Sequence, residues 1–104
     1  MKTLHLVLAG KWYDLIDCGA KTSEYRAPKP YWNKRFMSRA DYLNGLDPVA
    51  FGYPCKYKYE SVVFHRGYTK TIMKFSIVSI HITKKTNDLG LDACWEIKLG
   101  QRLA

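Results

Sequence analysis

A chain of 104 residues holds one domain, residues 1–104, around one core, with no room for a separate catalytic domain. A formal charge of +8 on a composition that is 47% apolar excludes a disordered basic tail and points to a polyanionic partner, nucleic acid ahead of acidic protein or membrane. Cys18, Cys55 and Cys94 are odd in number and widely spaced, with no C-x-x-C pair, so a disulfide framework or structural metal is not expected and a reducing cytoplasm is.

From Thr3 to Ala9, Leu4, Leu6 and Leu8 alternate with Thr3, His5 and Val7, which predicts a strand with one buried face. The apolar stretch is too short and polar for a signal peptide, and no later run approaches the roughly 20 apolar residues of a membrane span. Lys11 to Cys18 places Trp12, Leu15, Ile16 and Gly19 at i, i+3, i+4 and i+7. That spacing predicts a two-turn helix capped by Gly19, with Trp12 packed on the sheet.

Thr22 to Arg26 reads as a short strand, whose period of two puts Glu24 and Arg26 on one face with Lys21 at the turn before it. Two readings stay open from spacing alone. Glu24 pairs with its two cations on a solvated face, where such pairs contribute roughly 0 to 1 kcal/mol, or it holds them in preset positions facing a ligand.

Ala27-Pro28-Lys29-Pro30 cannot continue a ladder, because the prolines remove donors. The chain then makes a long excursion to about Tyr59, with short helices at Tyr31 to Met37 and Ser38 to Leu43, Ser38 as an N-cap, and turns at Asn44-Gly45 and Asp47-Pro48. Lys29, Lys34, Arg35, Arg39, Lys56 and Lys58 alternate there with Tyr31, Trp32, Phe36, Tyr42, Phe51, Tyr53, Tyr57 and Tyr59. Flexible single strands are bound by this combination, cations tracking phosphates while rings stack on bases. The same aromatics also serve to pin a long loop to the sheet.

Ser61 to Arg66 and Thr71 to Thr83 are predicted strands, joined at Gly67-Tyr68. In the second, Ile72, Val78, Ile80 and Ile82 share one parity and Met73, Phe75 and Ile77 the other, so the buried face switches near Phe75 to Val78, as a bulge would cause. After a polar loop from Lys84 to Gly90, Cys94 to Leu99 forms the last strand with Trp95, Ile97 and Leu99 inward. The sum is an α+β, mainly β domain: a partly closed barrel of five or six strands with one or two short helices.

Gly19, Lys21, Glu24 and Arg26 spell G-x-K-x-x-E-x-R just after a strand and a helix, and this resembles the signature of the ASCH domain, a small β-barrel of the PUA-like group. Leu4 to Leu8, Trp12, Pro30 to Arg35, Val63 to Tyr68 and Ile97 to Gly100 resemble small single-domain members in the same order. The resemblance implies binding of RNA or a nucleotide. It also keeps hydrolase chemistry open, because some ASCH-like proteins are amidohydrolases acting on acetylated cytidine and others are reported to be ribonucleases. In the amidohydrolases a threonine stands where this chain has Glu24, and a further carboxylate lies well downstream that cannot be placed here.

No zinc-deaminase, H-E-x-x-H or glycine-rich phosphate motif is present, His5, His65 and His81 fall in predicted strands, and no metal or cofactor is implied. The expected function is therefore RNA or nucleotide binding in a cleft between the motif strand and the excursion. Lys21 and Arg26 would contact phosphate or base oxygens, Glu24 orient them or accept from a base amine, Tyr31 and Trp32 stack, and Lys34, Arg35 and Arg66 neutralise the backbone. The alternatives are a hydrolase of a modified nucleoside or RNA, with Lys21 and Glu24 catalytic in a deep narrow pocket, and a protein-interaction domain marked by an exposed apolar patch.

Overall fold

The computed structural model describes residues 2–53 and 59–104, so Cys55, Lys56, Tyr57 and Lys58 of the predicted excursion lie outside the described residues. In chain order the elements are β1 (Lys2–Leu8), α1 (Gly10–Asp17), β2 (Ser23–Arg26), α2 (Pro30–Phe36), α3 (Arg39–Leu43), α4 (Pro48–Phe51), β3 (Tyr59–Arg66), β4 (Ile72–Thr83) and β5 (Cys94–Arg102). The five strands described here form one mixed, curled sheet in the order β1-β3-β4-β5-β2. β1 runs parallel to β3 and the remaining pairs are antiparallel. The result is α+β, mainly β, a half-barrel whose edges are β1 and β2. No described helix is long and apolar enough to cross a membrane.

Curling comes from β4. Its pairing to β5 shifts register between Phe75 and Ile77 and again between Ile77 and Ser79, where the alternation of the sequence changes parity. Met73 is buried before the shift and Ile80 and Ile82 after it, while Ile72 and Val78 face outward. The extra residues bend the strand and strengthen its twist. On β5 the site is matched by Gly100, where a Cβ would collide with Ser76 Oγ, and Ser76 Oγ accepts the Gln101 N–H at 2.8 Å.

The core lies on the face of the sheet that carries Leu4, Leu6 and Leu8, Val62 and Phe64, Met73, Ile80 and Ile82, and Trp95 and Ile97. Helix α1 closes one side with Ile16 and Trp12 against the core as expected, and buries Tyr13 in place of Leu15. Tyr13 and Ile16 are buried and Trp12 is half-buried, so the helix is rotated to turn Trp12 towards the entry of β2. Gly19 follows the helix with φ +82°, a left-handed position suited to glycine, and its N–H reaches Ile16 O at 3.1 Å.

The excursion is more ordered than its composition predicts, with α4 in addition to the two expected helices. The Asp47-Pro48 pair read as a turn is a helix start: Asp47 Oδ1 accepts the Val49 N–H at 3.0 Å and Pro48 takes the first turn, where a missing N–H costs nothing. Ser38 caps α3 as expected, accepting from Asp41 N. Helix α2 is fixed to the sheet by aromatic packing. Phe36 is fully buried, edge-on to Trp95 at 5.3 Å and stacked on Trp32 at 5.6 Å, and Trp95 Nε1 donates to Asn33 Oδ1 at 2.8 Å.

The indole hydrogen bond therefore sets where α2 sits. Trp95→Phe strands Asn33 and opens a small void, and should lower stability by about 2 kcal/mol in urea denaturation followed by circular dichroism.

Candidate functional site

A cleft of about 350 Å³ opens between the end of β1, α1, β2, α2 and the β4–β5 loop. Trp12 and Trp32 line it from α1 and α2, Lys21, Glu24 and Arg26 from the motif, and Asp88 from the loop. Each side chain is positioned by local structure. Lys21 N–H donates to Leu15 O at 3.0 Å, which folds the turn back on α1. In the β2–β5 ladder Glu24 stands opposite Ile97 and Arg26 opposite Trp95, so both motif residues share a face with core residues of β5.

The carboxylate of Glu24 is consequently buried, at 5% relative exposure. A buried carboxylate is tolerated only when its oxygens are paired. Lys21 Nζ donates to Oε1 at 2.9 Å and Arg26 Nη2 to Oε2 at 2.7 Å. Lys21 makes a second close ion pair with Asp88 Oδ2. Its ammonium also lies 4.6 Å from the centroid of the Trp12 ring, and the Arg26 guanidinium lies 4.9 Å from that of Trp32. Arg26 Nε is the one buried side-chain nitrogen or oxygen without a partner among the described residues.

Burial is the largest influence on the Lys21 ammonium and lowers its pKa, but the hydrogen bonds and charges of Asp88 and Glu24 outweigh it and leave the pKa raised. Lys21 is therefore held as a cation. Two cations are matched by two carboxylates, so the cleft carries no net charge from these four groups.

Of the residues singled out in the sequence, the structure brings Lys21, Glu24, Arg26 and Trp32 together. The other four lie elsewhere. Tyr31 is 57% exposed on the outer surface of α2, where the Arg35 guanidinium stacks 3.5 Å from its ring centroid and Arg35 Nη1 donates to its carbonyl at 2.9 Å. Lys34 lines a different depression with Lys2 and Arg39. Arg66 grips Asp14 through two bonds, Nε to Oδ1 at 3.1 Å and Nη2 to Oδ2 at 3.0 Å, against Gly10 at the start of α1.

Sequence reasoning missed Asp88 and gave Trp12 a packing role only. Asp88 belongs to a loop whose shape is set by Asn87, which accepts from Leu89 N at 3.0 Å and donates to Leu91 O at 2.8 Å. An Asn-Asp pair before Leu-Gly is a signal for a side-chain-tied turn, but not for the lysine that the turn faces.

Candidate nucleophiles outside the cleft are poorly placed. Burial, with Glu96 and Asp88 adding to it, pushes the Cys94 thiol up to about 11. His5 and His65 contact each other at 3.1 Å, and His81 contacts Ser79 Oγ at 3.0 Å and Glu96 at 3.2 Å, none of them lining the cleft. Among the described residues no three of His, Cys, Asp and Glu are grouped to hold a metal. No protein-family model, curated protein or solved structure matches the chain.

Removing one partner of a buried pair leaves the other charge uncompensated, so Lys21→Met should cost about 3 kcal/mol at neutral pH. Combining it with Glu24→Gln should cost less than the sum of the two single changes, read as a double-mutant cycle by urea denaturation. Because the folded-state pKa of Lys21 is raised, its contribution is complete below the unfolded lysine pKa and is lost as pH rises through the folded one. The destabilisation by Lys21→Met should accordingly be flat through neutral pH and shrink only on the alkaline side of the ordinary lysine range.

Proposed function

We propose that the chain binds RNA, or a free nucleotide, with one base held in the cleft between Trp12 and Trp32. The resemblance to ASCH and PUA-like domains implies the same class of ligand. The observation that carries the reading is the buried Glu24 carboxylate, which fixes Lys21 and Arg26 while their cationic heads stand against two indole rings. A cleft of about 350 Å³ is at the small end of ligand sites and suits a single base with its sugar. Charge balance shifts the expected contacts: with both cations already paired, base edges are better partners for this cleft than phosphates. Each Glu24 oxygen keeps a lone pair to accept from a base amine, and beside it the buried Arg26 Nε has no partner among the described residues.

A hydrolase acting on an acylated nucleoside is the second reading, favoured by one specific feature. Asp88 meets Lys21 from far along the chain, which supports reading it as a candidate for the downstream carboxylate that the resemblance implies. The Lys21 side chain is only 11% exposed, as a catalytic lysine would be. Against it, a lysine with a raised pKa is a poor base or nucleophile.

Titration of tryptophan fluorescence with the four nucleoside monophosphates, in parallel with N4-acetylcytidine turnover followed by chromatography, separates the two. Quenching that weakens roughly 10-fold in Trp32→Ala, which removes one wall of the cleft and the ring that backs Arg26, is the expected result. Quenching unaffected by Trp32→Ala would remove the cleft as the binding site. Release of acetate that disappears in Asp88→Asn would make the protein an enzyme instead.

A further inference from the structure

The cleft does not account for the basic charge of the chain. Its cations are matched by carboxylates, as are Arg66 by Asp14 and Arg102 by Asp17. A second depression, of about 460 Å³, is lined by Lys2, Lys34, Arg39, Tyr42 and Leu43. Three of these five residues are cationic and none is acidic. Asp41, the acid on the same helix as Arg39, is engaged elsewhere, accepting from Tyr53 Oη at 2.7 Å.

The two depressions are linked by α2. At 3.6 residues per turn, Trp32 and Lys34 project about 160° apart around the helix axis, and Tyr31 and Arg35 fall within that arc between them. Trp32 lines the cleft and Lys34 the basic groove. The surface between is the Tyr31 ring, exposed and already stacked with Arg35, its edge-on contact to Trp32 at 4.7 Å. An aromatic ring held rigid in solvent, with a guanidinium stacked on it, is a platform for a base whose phosphate lies alongside.

We propose that the groove of Lys2, Lys34 and Arg39 seats the sugar–phosphate backbone of a single RNA strand that crosses α2 over Tyr31 and Arg35 from the cleft. The path rests on the base-binding reading of the cleft. It divides the work by charge: a balanced cleft meets the neutral base, and a groove lined by Lys2 and Arg39 meets the phosphates. It also gives Tyr31, Lys34 and Arg35, which the cleft leaves outside, one shared ligand.

The test compares uridine monophosphate with fluorescein-labelled decauridylate on wild-type protein and on the Lys2→Gln/Arg39→Gln variant. Neither substitution touches the cleft, and removing a cation from the first turn of α3 does not strain that helix. Wild-type protein should bind decauridylate more tightly than the mononucleotide. The double variant should bind decauridylate about tenfold more weakly, with its salt slope reduced by about 1.4, the value for two single-strand phosphate contacts. Tryptophan quenching by uridine monophosphate should not change.

An unchanged decauridylate affinity and salt slope would overturn the groove, and Lys2→Glu/Arg39→Glu guards against neighbouring lysines filling in. If wild-type protein binds decauridylate through the groove but gives no mononucleotide quenching, the groove stands and the cleft reading falls. Mononucleotide quenching with no groove effect has the opposite meaning. Decaglutamate binding with higher affinity than decauridylate, sensitive to the same variant, would replace RNA with an acidic protein and overturn the proposal.

Discussion

A carboxylate on the core-facing side of a strand constrains everything around it. Glu24 sits opposite Ile97, in a place where an apolar side chain would otherwise be expected, and its charge persists there only because Lys21 and Arg26 each donate to one of its oxygens. Desolvating three charges is expensive, and replacing such a cluster by packed apolar groups is often neutral or stabilising. The arrangement therefore has no advantage as scaffolding alone. It does fix the positions of two cations whose long side chains would otherwise sample many rotamers.

The surrounding rings and the loop extend that constraint. Trp12 and Trp32 lie against the two cations from two different helices, and Asp88 closes on Lys21 from a turn that Asn87 holds by its own side chain. Trp95 belongs to the same scheme from below, since its indole N–H locates α2 and thereby Trp32. Positions on the wall of the cleft are thus set by elements that are themselves pinned to the core, the condition under which donors are preorganised for a ligand.

Much of the fold could be read from period and punctuation. The alternation of Leu4, Leu6 and Leu8 marked β1, the parity change near Phe75 marked the bend of β4, and Ser38 marked the start of α3. What failed did so for tertiary reasons. Trp12 and Ile16 pack on the core as the helical stripe predicted, yet α1 buries Tyr13 in place of Leu15, because the rotation of a helix on its sheet is set by tertiary packing. Asp47-Pro48 is compatible with a turn and with a helix start, and the sequence around it lacked a long apolar repeat to decide. In the site, Lys21, Glu24 and Arg26 are local neighbours and their association was visible. Asp88 was not, because its meeting with Lys21 depends on the order of strands, and Lys34 and Arg66, expected to neutralise the backbone of the same ligand, lie on different surfaces.

β1 and β2 are neighbours in the chain but occupy opposite edges of the sheet, and β2 has only β5 beside it. The motif strand thus depends for its pairing on a strand far along the chain. Until the final strand emerges, Glu24 and its two cations have no ladder to hold them and no apolar face to bury against, so the site is not a local fold that later elements decorate. Contacts such as Ser23 to Glu96, 73 residues apart, make its assembly non-local. A chain cut short before Cys94 would still contain every residue of the motif, and would have no means of arranging them.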